Sequence, residues 1–153
     1  MPIKTLTKFL DDNNVKYVTV RHSIAYTAQQ VAESAHISGN EIAKTVIVKL
    51  DDHLAMAVVR GTDQVDMDLL RGAAGAGKVE LATEAQFQGK FPGIEVGAMP
   101  PFGNLYDMPV YVDESLAHDE RIAFNAGTHS ELIQLAYEDF ESLVKPTVSN
   151  FSR

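Results

Sequence analysis

Residues 41–60 read EIAKTVIVKLDDHLAMAVVR, and their pattern decides the fold class. Ile42 to Leu50 and Leu54 to Arg60 are rich in Val, Ile and Ala, the former two being residues that fit a pleated, half-buried surface. Asp51-Asp52-His53 separates the two runs and suits a hairpin turn. If 42–50 is a strand, side chains alternate between its faces, and Ile42, Lys44, Val46, Val48 and Leu50 share one of them. A lysine therefore stands on the face that should enter the core. Either it snorkels its ammonium from the strand start into water, or it is held at the mouth of a pocket to meet a phosphate or carbonyl oxygen. Burial would lower its pKa, and an anionic ligand would raise it again.

Working outward, Ile3, Leu6, Phe9 and Leu10 recur at helical spacing, which predicts a helix over 3–13 stopping at Asn13-Asn14. Tyr17–Arg21 reads as a short strand. Thr27, with Gln30 at the capping-box position and Gly39 as a stop, predicts a helix over 28–35. Beyond the hairpin, Asp66 or Asp63 caps a helix running to about Ala73, and Val79–Leu81 is extended. Thr83, with Gln86 three residues on, opens another short helix. Gly89 to Gly103 holds four glycines and three prolines and is loop. Pro109–Val112, Arg121–Asn125 and Glu131–Ala136 read as strands. Asp139 caps a final helix through Val144, ended by Pro146. Without repeats, low-complexity tracts or linkers, residues 1–153 form a single α/β (α+β) domain.

At 153 residues and 45% hydrophobic content, such a chain can bury a proper core. No apolar run approaches a membrane span, and the N-terminus lacks a signal peptide's apolar core and cleavage site. Cysteine is absent, which removes disulfides, thiolate metal sites and a thiol nucleophile. A cytoplasmic location is expected. The net charge of −8 argues against a broad nucleic-acid-coating face and against DNA as a partner. Its distribution is uneven. Residues 1–60 carry seven basic and six acidic side chains, whereas 107–153 carry three and nine. Any polyanion contact should be small and lie towards the N-terminal part.

Several patterns imitate chemistry. Gly72-Ala-Ala-Gly-Ala-Gly-Lys78 has GxxxxGK spacing, but Val79 stands where a magnesium-binding hydroxyl belongs, and a helix precedes it rather than a strand. A helix-to-strand connection is expected instead. Asp63, Asp66, Asp68 and His53 lack any metal-ligand spacing, so caps and turns account for the carboxylates and neither a metal nor another cofactor is expected. A GxSxG nucleophile elbow is missing.

Three further segments carry more. In Asn125-Ala-Gly-Thr-His-Ser130, Gly127 interrupts a strand before Thr128, His129 and Ser130. Such a turn can aim successive amides at an oxyanion, or be a plain glycine turn with a surface histidine. Gly97-Ala-Met-Pro-Pro101-Phe-Gly-Asn-Leu-Tyr106 combines stiffening prolines, permissive glycines and the rings of Phe102 and Tyr106. It is either a rigid packed loop or the wall of a site. His22-Ser-Ile-Ala-Tyr26-Thr27 connects a strand to a helix.

Taken in order, His22-Ser…Tyr26-Thr27, Glu41-Ile-Ala-Lys44-Thr45-Val46, Gly97-x-x-x-Pro101 with Phe102-Gly103, and Gly127-Thr128-His129 resemble the YbaK/prolyl-tRNA synthetase-associated domain family. The likeness runs from about His22 to Pro146. It implies a mixed, barrel-like β-sheet surrounded by helices. It also implies hydrolysis of the ester joining a wrong, small amino acid to the 3′-terminal adenosine of tRNA, without metal. Lys44 would grip the phosphate or aminoacyl carbonyl, and Gly127, Thr128 and His129 would face the scissile carbonyl. His22, Tyr26, Thr27, Thr45, Gly97, Met99, Pro101, Phe102 and Gly103 would bind substrate.

The chemistry suits these residue types. An aminoacyl ester is already activated, so a held water and a stabilised oxyanion suffice, with turn amides as donors and Lys44 as anchor. Editing is needed because one methylene is worth only ~1–3 kcal/mol in an apolar pocket. Gripping a single-stranded end explains how an acidic protein can accept RNA. The expected partners are aminoacyl-tRNA and an aminoacyl-tRNA synthetase, with the chain a monomer or weak homodimer. The alternative is a non-catalytic module of the same fold that docks on a synthetase or tRNA end.

Overall fold

The computed structural model describes residues 3–22, 30, 35, 41–87 and 89–153. The chain opens with α1 (Lys4–Asp12) and β1 (Tyr17–Arg21). Next come β2 (Ala43–Leu50), β3 (His53–Arg60), α2 (Met67–Ala74), β4 (Val79–Leu81) and α3 (Glu84–Phe87). A 3₁₀ turn (Gly103–Leu105) precedes β5 (Val110–Asp113), α4 (Glu114–Ala117) and β6 (Arg121–Asn125). The chain ends with β7 (Glu131–Ala136), α5 (Tyr137–Val144) and β8 (Thr147–Ser149). The helix expected over 28–35, with its cap Thr27, lies largely outside the described residues.

The expected barrel-like sheet is replaced by two sheets. One is antiparallel in the order β1-β7-β6, and the other is mixed in the order β4-β2-β3-β5-β8. Among the described residues their ladders meet only at an isolated parallel bridge between Ile42 and Ala123. The β2–β3 hairpin is antiparallel with Lys44 opposite Val59, whereas β5 joins β3, and β8 joins β5, in parallel.

Both faces of the hairpin are covered. Ala43, Ile47, Met56 and Val58 enter the main core with Leu6, Leu10, Phe102, Phe124, Ile133 and Phe140. Val48, Leu50, Ala55, Ala57 and Val59 pack the other way, against Leu70 of α2 and Phe151. This explains why the two strands read as continuous apolar runs instead of clean alternation. Lys44 thus lies on the face turned away from the main core. At the centre of that core Phe102 is fully buried, with ring centroids 5.4 Å from Phe124 and 5.5 Å from Phe140. Truncating such a ring costs about 3–5 kcal/mol.

Local signals are obeyed at several element ends. Asp66, rather than Asp63, caps α2, its carboxylate accepting from the Asp68 and Leu69 amides at 3.1 Å each. Thr83 and Gln86 form a reciprocal capping box at 2.7 and 3.2 Å. Asp139 is a correction. Ala136 occupies the N-cap of α5, and Asp139 sits in the first turn, where its charge meets the helix dipole without capping it.

The phosphate-loop lookalike turns out to be a helix-to-strand connection that binds an internal anion. The amides of Gly77 and Lys78 donate to the carboxylate of Asp51 at 3.1 and 2.9 Å. Asp51 itself turns the hairpin at φ 52°, and its amide donates back to Lys78 at 2.9 Å. The loop thereby latches the hairpin.

Candidate functional site

The Gly89–Gly103 loop and the turn after β6 are far apart in sequence and bound together in space. The Glu95 amide donates to the Gly127 carbonyl at 2.9 Å, and the Gly127 amide donates to the Ala98 carbonyl at 3.0 Å. The Glu95 carboxylate accepts from the His129 amide at 3.3 Å. His129 Nε2 lies 2.8 Å from the Val96 carbonyl, and the ring is almost fully buried. Gly97 sits beneath that ring with φ 87°, and a Cβ there would come within 3.3 Å of His129 Cε1. Both a positive φ and the close approach require glycine.

His22 joins this arrangement from the end of β1, its amide donating to Ser130 at 2.9 Å. The structure therefore brings His22, Gly97 and the Gly127–His129 turn to one place. Tyr26 and Thr27 lie outside the described residues.

Lys44 lies on the face of β2 turned away from the main core, two residues beyond the bridge that joins the two sheets. The bridge at Ile42 and Ala123 is parallel, so continuing two residues along each strand leads to Lys44 on one and Asn125 on the other. Asn125 opens the segment that turns at Gly127. The Asn125 Oδ1 is buried without a hydrogen-bond partner among the described residues. Lys44 is partly buried and forms no ion pair with a described residue. Burial pushes its ammonium below the usual lysine range, while the negative charge of Asp63 pulls it back up. A partly desolvated ammonium with no ion pair among the described residues is suited to meeting an anionic ligand.

The remaining candidates take other places. Thr45 turns its hydroxyl inward, buried without a partner among the described residues. The Met99 sulfur accepts from the Gly97 amide at 3.3 Å, and Met99 belongs to the main core. Phe102 stacks within that core, so it shapes the loop from behind. Gly103 is a packing glycine, since a Cβ would lie 2.3 Å from the Met108 carbonyl oxygen. Pro101 is buried.

Of the turn amides proposed as donors, that of Gly127 is already committed to Ala98. The Thr128 amide donates to no described residue. Glu95 and Val96, which hold the turn, are absent from the sequence-derived set. Their contacts span more than thirty residues and leave no local spacing to read. Among the described residues, no three His, Cys, Asp or Glu side chains are grouped to hold a metal ion. Likewise, no helix there is long and apolar enough to cross a membrane.

Residues 22–143 match the family model described as the aminoacyl-tRNA editing domain, and the chain belongs to that family. It is 27% identical over 148 residues to the prolyl-tRNA editing protein ProX of Acetoanaerobium sticklandii, covering 93% of this chain and 90% of the relative. It is 25% identical over 154 residues to the multifunctional Ser/Thr-tRNA deacylase ProXp-y of Escherichia coli, covering 97% and 91%. A shorter match, 30% identical over 102 residues, falls on 18% of the proline–tRNA ligase of Shouchella clausii and covers 67% of this chain. Among solved structures, one described as a candidate trans-editing enzyme for prolyl-tRNA synthetase shares the fold. It has a TM-score of 0.81 at 20% identity and covers 97% of this chain and 94% of that one.

Proposed function

We propose that this chain is a deacylase that hydrolyses the ester between a small, wrongly attached amino acid and the 3′-terminal adenosine of tRNA. The observation that carries the reading is the hydrogen-bonded union of the Glu95–Ala98 segment with the Gly127–His129 turn, in a chain of the editing family. Water is the nucleophile, since the ester is activated and the chain has no cysteine. Lys44 anchors the terminal phosphate or the aminoacyl carbonyl, and the Thr128 amide stabilises the oxyanion. The 97–101 loop borders the amino-acid pocket. The name of the E. coli relative, a Ser/Thr-tRNA deacylase, favours small or hydroxyl-bearing aminoacyl groups.

The test is a panel of purified tRNAs charged with Ala, Ser, Thr, Cys and other small amino acids, incubated with wild type and Lys44→Ala without added metal. Multiple turnovers on at least one misacylated tRNA, lost in the variant, are expected. No hydrolysis across the panel would favour the non-catalytic module. Full activity of Lys44→Ala would overturn the role of the lysine.

A further inference from the structure

Glu95 fixes the peptide planes on both sides of Thr128. The Gly127 carbonyl, which shares a peptide with the Thr128 N–H, accepts from the Glu95 amide at 2.9 Å. The His129 N–H, which shares the next peptide with the Thr128 carbonyl, donates to the Glu95 carboxylate at 3.3 Å. No peptide bond here is cis, so each N–H points opposite to the carbonyl of its own plane. With the Gly127 carbonyl turned to Glu95, the Thr128 N–H must face away from the loop. It has no acceptor among the described residues.

A second tie reinforces the geometry. The Ala98 amide donates to the Glu95 carbonyl at 3.0 Å, closing the loop into a turn that also receives the Gly127 amide at Ala98. Glu95 is half exposed, so its carboxylate could be solvated freely, yet it reaches an amide thirty-four residues away. An acceptor in that position prevents the Thr128–His129 peptide from rotating. A rotation there would swing the neighbouring plane and re-aim the Thr128 N–H.

We propose that Glu95 is a positioning residue for deacylation, its carboxylate holding the His129 amide so that the Thr128 N–H stays aimed at the oxyanion of the ester. This rests on the deacylase reading above. A donor that is already oriented needs no reorganisation as charge develops, so its loss should appear in kcat rather than KM.

Glu95→Ala, Glu95→Gln and Glu95→Asp should be compared with wild type on the tRNA that wild type cleaves best, alongside thermal melts. Glu95→Ala should lose roughly ten-fold in kcat with KM within about two-fold. Glu95→Gln keeps an acceptor of the same reach and should recover most of the loss. Glu95→Asp, one methylene shorter, should resemble Ala and serves if the alanine variant fails to fold. Wild-type kcat in Glu95→Ala, a change in KM alone, or no rescue by Gln would each overturn the proposal. Amide hydrogen exchange supplies an arm independent of turnover. The His129 amide should be protected in wild type and Glu95→Gln and exposed in Glu95→Ala. If wild type cleaves nothing, the deacylase reading fails, and this protection pattern alone decides whether Glu95 holds the turn.

Discussion

His129 Nε2 lies 2.8 Å from the carbonyl oxygen of Val96, and a carbonyl has no hydrogen to give, so this nitrogen carries the proton and donates it. The imidazole is thereby a clamp between the turn that bears it and the loop it meets. While the contact stands, Nε2 cannot take a proton from water.

Removing the clamp should loosen the loop before it unfolds the core. His129→Ala is expected to increase amide exchange and protease cleavage at residues 94–99, with kcat for deacylation falling roughly ten- to a hundred-fold. The main core does not depend on the ring, so the melting midpoint should move only slightly. Unchanged protection of the loop would show that His129 does not hold it.

Gly97 and Gly89 form a matched pair. Both have positive φ, 87° and 82°, but a Cβ on Gly89 meets open space while one on Gly97 meets the His129 ring at 3.3 Å. Alanine at either site carries left-handed backbone strain of about 1–2 kcal/mol. Only Gly97→Ala also displaces the imidazole, so only it should impair hydrolysis beyond its effect on stability. Equal kinetic losses in the two variants would mean that backbone strain alone explains them.

These contacts mark where the sequence was readable and where it was not. The β2–β3 hairpin was legible because β-branched runs and an Asp-Asp turn are local signals, as was the Thr83–Gln86 capping box. Asp139 misled because its side-chain type suits a cap while the helix starts two residues earlier, after an Ala136 cap with no side-chain bond. Strand β8 was missed since three residues after a proline become a strand only by pairing with β5. The Gly97 loop and Gly127 turn each looked ambiguous alone. Their union, and the part of Glu95 in it, depends on hydrogen bonds no spacing encodes.

Asp113 predicts an acid limit to stability. It is 1% exposed, and its carboxylate accepts from the Phe151 and Ser152 amides at 2.9 and 3.0 Å and from the Ser115 amide at 3.1 Å. Burial alone would push its pKa up, but these bonds and one from the Ser115 hydroxyl outweigh it and hold the group below its usual value. A carboxyl with a depressed folded pKa stabilises fully above the unfolded value, and that stability is lost as pH falls through the folded one. Asp113→Ala should cost about 3 kcal/mol at pH 7. In urea titrations the gap between wild type and Asp113→Asn should hold at neutral pH and close below about pH 4. A gap that persists at low pH would remove Asp113 as the source.

The last prediction sets function against stability at Lys44. Burial lowers the pKa of this ammonium, so folding disfavours its charged form, and the half-covered charge destabilises the folded state at neutral pH. Between the folded pKa and the ordinary lysine value the unfolded chain binds more protons, so the contribution of this group to stability rises with pH across that window. Lys44→Met keeps the length of the side chain and removes the charge. It should melt higher than wild type at pH 7, with the difference narrowing as pH approaches 10, while deacylation is lost at every pH. Residues retained at a cost to stability are expected where charge performs the work of a site. A variant that is less stable than wild type at pH 7 would mean that the ammonium is well solvated or paired in the folded chain, and the case for it as a poised anion anchor would fall.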